Sequence, residues 1–338
     1  GANNVAVGRQ ALEANTTGCK NVALGFSAMA ANTTSCENVA IGHCALDTNT
    51  TGDFNVAIGT AALDKNTTAN GNIGIGASAL RCNTTGSGNT AVGFVALCKN
   101  TTGTENTAVG QYALLNNTTC SSNTAFGSQA MCGNGTISGA SNTSVGALAL
   151  RCLTSGSENT AVGYYAGLKN STASGNSFFG VCAGYLTTTG VTNVAIGGNS
   201  FDANTTGGCN VAVGAGSLSA SATANNNTAV GYEALNASTT GVENVAIGKR
   251  AGLSNTTGSN NVSIGHCAGH NITTGGQNIN IGGYARVSSA TEDYSLAIGY
   301  NIVGKGASTG YIAPDGTSSN GIYQGNNSSS WSTTSDKR

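Results

Sequence analysis

The sequence Asn106-Thr-Ala-Val-Gly-Gln-Tyr-Ala-Leu-Leu-Asn-Asn-Thr-Thr119 is one unit of a repeat that runs through most of the chain. Its first asparagine recurs every 17 residues up to Asn123, and again from Asn142 to Asn278, after which Ser295 takes the place. The single change of phase is the 19-residue step between Asn123 and Asn142, which contains a two-residue insertion. The repeat therefore has 18 units, and repeats of fixed period are typical of solenoids.

Each unit contains a glycine four residues after its first asparagine, without exception. If that asparagine is position 1, the glycine at position 5 indicates a corner that needs either a positive φ or close backbone approach. Position 4 is always apolar, and we expect its side chains to point into the core. The sequence thus predicts that position-4 residues are buried one above another, among them Val7, Ile41, Val109 and Ile247.

The spacing within a unit predicts one small coil. Positions 1 to 5 alternate with the two-residue period of a β-strand, and a second strand is expected around the nearly constant alanine of position 8. The Asn-Thr-Thr stretch at positions 12 to 14 then turns the chain back. Coils stacked as parallel strands lie about 4.8 Å apart. The predicted fold is all-β, a parallel β-solenoid of 18 coils within residues 1–303, whose recurrent asparagine either forms a ladder between coils or starts a turn.

The composition argues against several partners. Only 8% of the residues are charged and the net charge is −1, so the chain has no basic field for nucleic acid. No apolar run approaches the roughly 20 residues of a membrane helix, and no membrane insertion is expected. No cofactor is indicated either.

The thin core predicts contact with further copies of the chain. Small cores offset little of the conformational entropy that is lost on folding. The alanines of position 3 form a flat apolar face along which a parallel homo-oligomer is expected to pack. They include Ala6, Ala23, Ala40, Ala57, Ala91 and Ala108.

The runs Asn38-Val-Ala-Ile-Gly42 and Asn193-Val-Ala-Ile-Gly197 resemble the Asn-Ser-Val-Ala-Ile-Gly run in the head repeats of YadA-type trimeric autotransporter adhesins. The resemblance covers residues 4 to about 303. It implies a left-handed parallel β-roll, a homotrimer about a common axis and an adhesive role. The unit here is longer than the adhesin repeat, and its Asn-Thr-Thr turn holds the additional residues.

The repeat ends after Val303, and residues 304–338 are predicted to form a cap or neck and a linker. The last residues, 331–338, resemble the junction before the intramolecular chaperone of phage tailspikes and tail fibres. That resemblance implies a chaperone that trimerises the shaft and is then cut away between Ser335 and Asp336. The sequence continues past this bond to Arg338.

Six of the 11 cysteines fall at equivalent or nearly equivalent places on neighbouring coils. One coil step fits the roughly 4.4–6.8 Å that a disulfide allows between Cα atoms. Vertical disulfides are therefore predicted, which favours an oxidising compartment. The pairs are Cys19 with Cys36, Cys82 with Cys98, and Cys132 with Cys152. The others are interpreted as free, buried thiols: Cys44, Cys120, Cys182, Cys209 and Cys267.

Asn-X-Ser/Thr sequons recur in the turn at positions 12 to 14. They mark either N-glycosylation sites or one copied turn sequence. The shifted sequons at Asn236 and Asn271 favour the glycan, because they keep a sequon in coils that lack the usual asparagine. The predicted glycosylation sites are Asn15, Asn32, Asn49, Asn66, Asn83, Asn100, Asn117, Asn134, Asn170, Asn204, Asn236, Asn255 and Asn271.

These features predict a structural fibre outside a cell or on a virion surface, with an adhesive role and no enzymatic activity. Its expected partners are further copies of the chain and a host surface receptor or glycan. An ice-binding solenoid is one alternative, because threonines recur. A carbohydrate-active β-helix is another, for which only Asp47 and Asp64 form an acidic pair on adjacent coils. His43 and His266 share a variable outer position, where a metal site would need three or four converging ligands.

Overall fold

The computed structural model of the chain describes residues 1–316, 321–325, 328 and 330–334. These residues form β-strands and turns and no helix, and so none of their segments is a helix able to cross a membrane. They divide into two compact units, Gly1–Ser174 and Gly175–Arg338. The predicted all-β parallel solenoid of about 18 coils with a 17-residue period is confirmed.

Each coil contributes one short strand that begins at position 2. The first unit contains β1 (Val5–Val7), β2 (Val22–Leu24), β3 (Val39–Ile41), β4 (Val56–Ile58), β5 (Ile73–Ile75), β6 (Thr90–Val92), β7 (Thr107–Val109), β8 (Thr124–Phe126), β9 (Thr143–Val145) and β10 (Thr160–Val162). The second contains β11 (Ser177–Phe179), β12 (Val194–Ile196), β13 (Val211–Val213), β14 (Thr228–Val230), β15 (Val245–Ile247), β16 (Val262–Ile264), β17 (Ile279–Ile281), β18 (Leu296–Tyr300), β19 (Gly310–Asp315), β20 (Gly321–Gln324) and β21 (Ser332–Thr334).

Successive strands pair in parallel from β1 to β10 and from β11 to β19. The register keeps equivalent positions together, as in the pairing of Val22 with Val39 and of Ala23 with Ala40. Every column of side chains along a unit therefore consists of one repeat position.

The glycines of position 5 form the corner after each strand. Their φ values lie between 119° and 143°, a region that side chains rarely adopt. A Cβ at Gly110 would lie 2.5 Å from the carbonyl oxygen of Gly127 in the next coil. Both predicted reasons for this glycine, positive φ and close backbone approach, are confirmed.

The predicted second strand around position 8 is wrong, because this part of the coil consists of turns. Positions 7 and 9 hold left-handed backbone in most coils, for example Tyr112 (φ 58°) and Leu114 (φ 50°), and a strand cannot contain such residues. The turns still bond to their neighbours. The Leu114 amide donates to the carbonyl oxygen of Ala130 at 3.1 Å, and the Tyr112 amide donates to that of Phe94 at 3.1 Å.

The alanine of position 3 lies inside the coil. Ala23, Ala91 and Ala108 are fully buried, together with position-8 alanines and position-9 leucines such as Ala113 and Leu114. Small side chains on one wall and leucine on the other fill a narrow lumen at high density.

Position-4 side chains consequently point outward, and the prediction that they form the buried column is wrong. Val7 is 56% and Ile247 is 41% exposed, while Ile41 and Val109 are partly exposed. Both faces of the strand are apolar, so alternation alone does not distinguish inside from outside. The predicted packing of copies along the alanine face is also wrong, because alanines such as Ala108 are buried in their own coil.

The asparagines of position 1 form a ladder inside the coils, as one of the two interpretations predicted. The backbone amide of Asn38 donates to Oδ1 of Asn21 at 3.0 Å, and that of Asn55 donates to Oδ1 of Asn38 at 2.8 Å. The side-chain amide of Asn38 donates to the carbonyl oxygen of Gly52 at 3.0 Å. The ladder thus satisfies buried backbone groups that lie outside the strands.

In one coil of the second unit, position 3 holds a large side chain and position 9 holds none. Phe178 replaces the position-3 alanine and is fully buried, and Gly184 replaces the position-9 leucine. A Cβ at Gly184 would lie 2.5 Å from the Phe178 ring. Because Gly184 has no side chain, the Phe178 ring fills the space that a leucine would occupy, and the lumen stays packed.

At the end of the second unit, β19 stacks in parallel on β18, and β20 and β21 follow antiparallel. Tyr311 of β19 pairs with Ala297 and is 6% exposed, in one cluster with Ile302 and Ala313. A tyrosine thus follows Ala297 in the column that position-3 alanines occupy in other coils. These three strands lie in the segment predicted as a cap. The predicted cleavage residues, Ser335 and Asp336, are outside the described residues.

The Phe178 and Gly184 exchange predicts a compensating pair of substitutions. Phe178→Ala should destabilise the chain by about 3–5 kcal/mol because it opens a cavity, and Gly184→Leu should destabilise it through a clash with the ring. The double variant recreates the usual coil, since Leu63 adopts φ 51° at the position where Gly184 has φ 62°. We expect its free energy of unfolding to return to within about 1 kcal/mol of the parent. Denaturant titration checks this, and losses that simply add would contradict it.

Candidate interaction surface

The outward position-4 side chains form an apolar line along each unit, which we name the outer stripe. It contains only Val, Ile, Leu and Phe. The position-2 side chains, mostly Val and Thr, lie on the same face because of strand alternation. The outer stripe consists of Val7, Leu24, Ile41, Ile58, Ile75, Val92, Val109, Phe126, Val145 and Val162 in the first unit, and of Phe179, Ile196, Val213, Val230, Ile247, Ile264, Ile281 and Ile298 in the second.

The exposure of the outer stripe is high for an apolar column. Phe126 is 55% exposed, Leu24 is 45% and Ile196 is 41%. Large contiguous apolar patches mark interaction surfaces on soluble proteins. The sequence signal for this surface is the constant apolar character of position 4, which a buried column would share.

The sequon asparagines of position 12 form a second buried ladder. Nδ2 of Asn83 donates to Oδ1 of Asn66 at 3.0 Å and to the carbonyl oxygen of Gly86 at 2.8 Å, and its Oδ1 accepts from Nδ2 of Asn100 at 2.8 Å. A glycan would need the same nitrogen in solvent. The geometry therefore argues against glycans at the buried members: Asn32, Asn49, Asn66, Asn83, Asn100, Asn117, Asn170, Asn204 and Asn255.

Four sequon asparagines are at least partly exposed. Asn15 is in the first coil, and Asn236 and Asn271 donate to the carbonyl oxygens of other turns at 2.9 Å. Asn134 is exposed because the two-residue insertion pushes it outward, and Ile137 takes the buried place beside Asn117. N-glycosylation at these four positions stays a prediction.

The two kinds of sequon predict different effects of substitution. Asn83→Ala should lower the free energy of unfolding by about 3 kcal/mol. The substitution removes three hydrogen bonds of the Asn83 side chain and leaves their buried partner groups unsatisfied. Asn134→Ala, the matched control, should have little effect because its side chain is in solvent. Denaturant titration of both variants provides the test. Equal stability of the two variants would contradict the buried ladder.

The structure brings the first predicted cysteine pair into contact. Sγ of Cys19 lies 2.7 Å from Sγ of Cys36, and Sγ of Cys36 accepts from the Cys19 amide at 3.1 Å. The hydrogen bond with Cys36 raises the pKa of the Cys19 thiol. Both residues lie at position 16, one directly above the other. They are thiols in the structure, and the disulfide stays a prediction.

The other two predicted pairs lie one coil apart and deeper. Burial raises the pKa of the Cys98 thiol, and the neighbouring Cys82 adds to this effect. Burial likewise raises the pKa of Cys132, with a smaller contribution from Cys152. Thiols with raised pKa react slowly as nucleophiles. Cys44, Cys120, Cys182 and Cys267 are partly exposed and Cys209 is exposed, so the prediction that these five are buried is wrong, while their state as free thiols stays a prediction.

Mild oxidation with glutathione disulfide should join Cys19 to Cys36, reducing the reagent to two glutathione molecules. Closing a loop of about 16 residues should raise the free energy of unfolding by about 3 kcal/mol. Non-reducing peptide mapping and denaturant titration measure both effects. Cys44→Ser serves as the control and should change neither result. Recovery of Cys19 and Cys36 only as free thiols would refute the pairing.

In the acidic pair on adjacent coils, Asp47 and Asp64, only Asp64 forms ion pairs. Asp64 is 7% exposed and lies 3.2 Å from Nζ of Lys65 and 3.8 Å from Nε of Arg81. Burial, and then the charge of Asp64, raises the pKa of Asp47. Glycoside hydrolysis needs two carboxyl groups free to act on the substrate. Here the cations hold one of the two.

The predicted outer histidines lie on the surface. His43 stacks on Phe26 with ring centroids 5.2 Å apart, and His266 packs against Tyr284 at 4.9 Å. Within the described ranges, no three His, Cys, Asp or Glu side chains converge as metal ligands would. Both histidines therefore act as parts of aromatic contacts.

Comparison of the chain with known proteins finds no matching family model, no matching curated protein and no matching solved structure. The geometry of the surface thus carries the functional argument.

Proposed function

We propose that the chain is the shaft segment of an adhesive fibre on a cell or virion surface, built from three parallel copies that meet along the outer stripe. The observation that carries this proposal is the apolar side chain at position 4 of every coil, which forms a column along each unit. Columns of this kind are costly to leave in water, and no other segment within the described residues covers it. An extracellular location and a host receptor or glycan as partner follow from the adhesive role.

The magnitude of the apolar effect supports assembly. Burying a half-exposed Val or Ile contributes about 1 kcal/mol, so the stripe of the first unit contributes on the order of 10 kcal/mol per chain. Association costs roughly 4–15 kcal/mol in lost translational and rotational freedom. The two terms are of similar size, and the position-2 side chains add further apolar area. The apolar gain of a stripe of this length is therefore of the size that association requires.

A further copy of the same chain is the partner that fits best. The stripe carries no charge and repeats at each coil, so an identical column at the same spacing matches it along its length. Phe126 and Phe179 are larger than the neighbouring Val and Ile residues of the stripe. They therefore favour the axial register in which equivalent rings meet. The number of three and the left-handed winding rest on the resemblance to YadA-type heads. Trimerisation by a chaperone that cuts after Ser335 would rest on the resemblance to tail-fibre junctions.

Two alternatives receive less support from the geometry. Ice binding requires ranks of free threonine hydroxyls, but in the Thr-Thr turn the first rank is engaged, since Oγ1 of Thr101 donates to the carbonyl oxygen of Thr118 at 3.0 Å. Carbohydrate cleavage would rely on Asp47, because Asp64 is held by Lys65 and Arg81. The fibre proposal includes no catalytic step.

The outer stripe predicts the effect of two charges on assembly. Val92→Lys with Val109→Lys should convert a trimer into a folded monomer, because six lysines would meet at the trimer axis. Sedimentation equilibrium at micromolar concentration measures the mass, and circular dichroism checks the fold.

The matched control is Thr85→Lys with Thr102→Lys, which adds the same charge to exposed turns of neighbouring coils. It should remain a trimer. A parent chain that is a stable, folded monomer at micromolar concentration would overturn the fibre proposal.

A further inference from the structure

Four aromatic side chains meet on the surface near the end of the second unit. Tyr284 is at the centre, and its ring centroid lies 4.9 Å from that of His266, 6.5 Å from that of His270 and 6.3 Å from that of Tyr300. The interplanar angles are 79°, 83° and 90°, so the rings meet edge to face. Such contacts fix the orientation of each ring.

The coil does not need rings at these places. Tyr300 occupies position 6 and Tyr284 position 7, where other coils have residues as small as Gly198 and Ala61. Tyr300 is 59% and Tyr284 is 38% exposed. Gly283 lets the Tyr300 ring lie against the backbone, since a Cβ there would be 3.3 Å from ring carbons. The result is a rigid aromatic platform that faces solvent.

A positioned cation borders this platform. Nη1 of Arg286 donates to the carbonyl oxygen of Tyr284 at 3.3 Å and to Oδ1 of Asn301 at 3.1 Å. Its Nε and Nη2 have no hydrogen-bond partner within the described residues. Two nearby acids are engaged elsewhere: Glu292 accepts from the amides of Ser288 and Ser289, and Asp293 accepts from that of Gly276. The guanidinium is thus free to bind an external carboxylate.

His270 provides a hydrogen-bond acceptor beside the platform. Nδ1 of His270 lies 2.7 Å from the carbonyl oxygen of Cys267, so this nitrogen carries the proton in the neutral ring. Nε2 is then left to accept from a hydroxyl group. Oδ1 of Asn301 is engaged by Arg286, while its side-chain amide is in solvent as a donor.

We propose that Tyr284, Tyr300, Arg286, Asn301 and His270 form a subsite for a hexuronic acid unit of a glycan. An aromatic face suits the apolar C–H face of a pyranose ring, the guanidinium suits its carboxylate, and the amide and imidazole suit its hydroxyls. This inference rests on the proposed adhesive function and names the chemical class of its receptor. Three copies of one weak subsite on a trimer would supply avidity.

Saturation-transfer NMR on the full chain tests the subsite, with methyl β-glucuronide and methyl β-glucoside as probes. We expect transfer to both sugars and at least tenfold tighter binding of the glucuronide. Tyr300→Ala should abolish transfer to both sugars. Arg286→Gln should weaken glucuronide binding at least tenfold and leave glucoside binding unchanged. Tyr164→Ala, which removes another exposed tyrosine in the first unit, is the matched control and should bind as the parent does.

Sedimentation of the same samples separates this proposal from the fibre proposal. A trimer without transfer to either sugar overturns the subsite and leaves the fibre standing. Parent-like binding by Tyr300→Ala also overturns the subsite, because the platform would then have no part in recognition. Saturation transfer to the sugars from a parent chain that is monomeric would support the subsite and overturn the fibre proposal.

Discussion

Buried side-chain amides are the interaction on which the stack of coils depends. Most of each coil is turn, and its backbone groups cannot all pair as strands do. The carbonyl oxygen of Gly103 shows how this is resolved, because it accepts from Nδ2 of Asn89 at 2.8 Å and from Nδ2 of Asn100 at 2.9 Å. Asparagine is short enough to fit inside the coil and has both a donor and an acceptor. Without the two ladders these buried carbonyls would lack partners, at a cost of about 1–3 kcal/mol each.

The ladders also offset a strained backbone. Residues such as Val95 (φ 59°) and Leu97 (φ 50°) hold left-handed conformations, which cost roughly 1–2 kcal/mol each. A single coil therefore cannot be stable alone. Each added coil contributes hydrogen bonds to its neighbour, so stability grows with the stack as in other repeat proteins. Where the repeat ends, the buried Tyr311 takes the place of an alanine in the column of position 3.

A narrow lumen has consequences for the outer surface. Because alanine and leucine fill the inside, the branched residues of position 4 lie outside, and few charges accompany them. Much of the rest of the surface consists of Thr, Ser, Asn and Gly, with single charged and aromatic side chains among them. The outer stripe and the aromatic platform around Tyr284 are two features of this surface that coil formation does not require. Assembly and recognition are the roles that we assign to them.

The sequence alone determined the period, the parallel stacking and the glycine corner, because each follows from backbone geometry repeated in register. It also offered the asparagine ladder of position 1 as one of two interpretations. Only the tertiary structure decided which apolar face of the strand is inside, since Ala108 and Val109 are both apolar and differ chiefly in size. It also decided that Asn83 is buried while Asn134 is not, because one sequon pattern serves both places. The platform around Tyr284 was beyond sequence reasoning, since its members come from different positions of different coils that only stacking brings together.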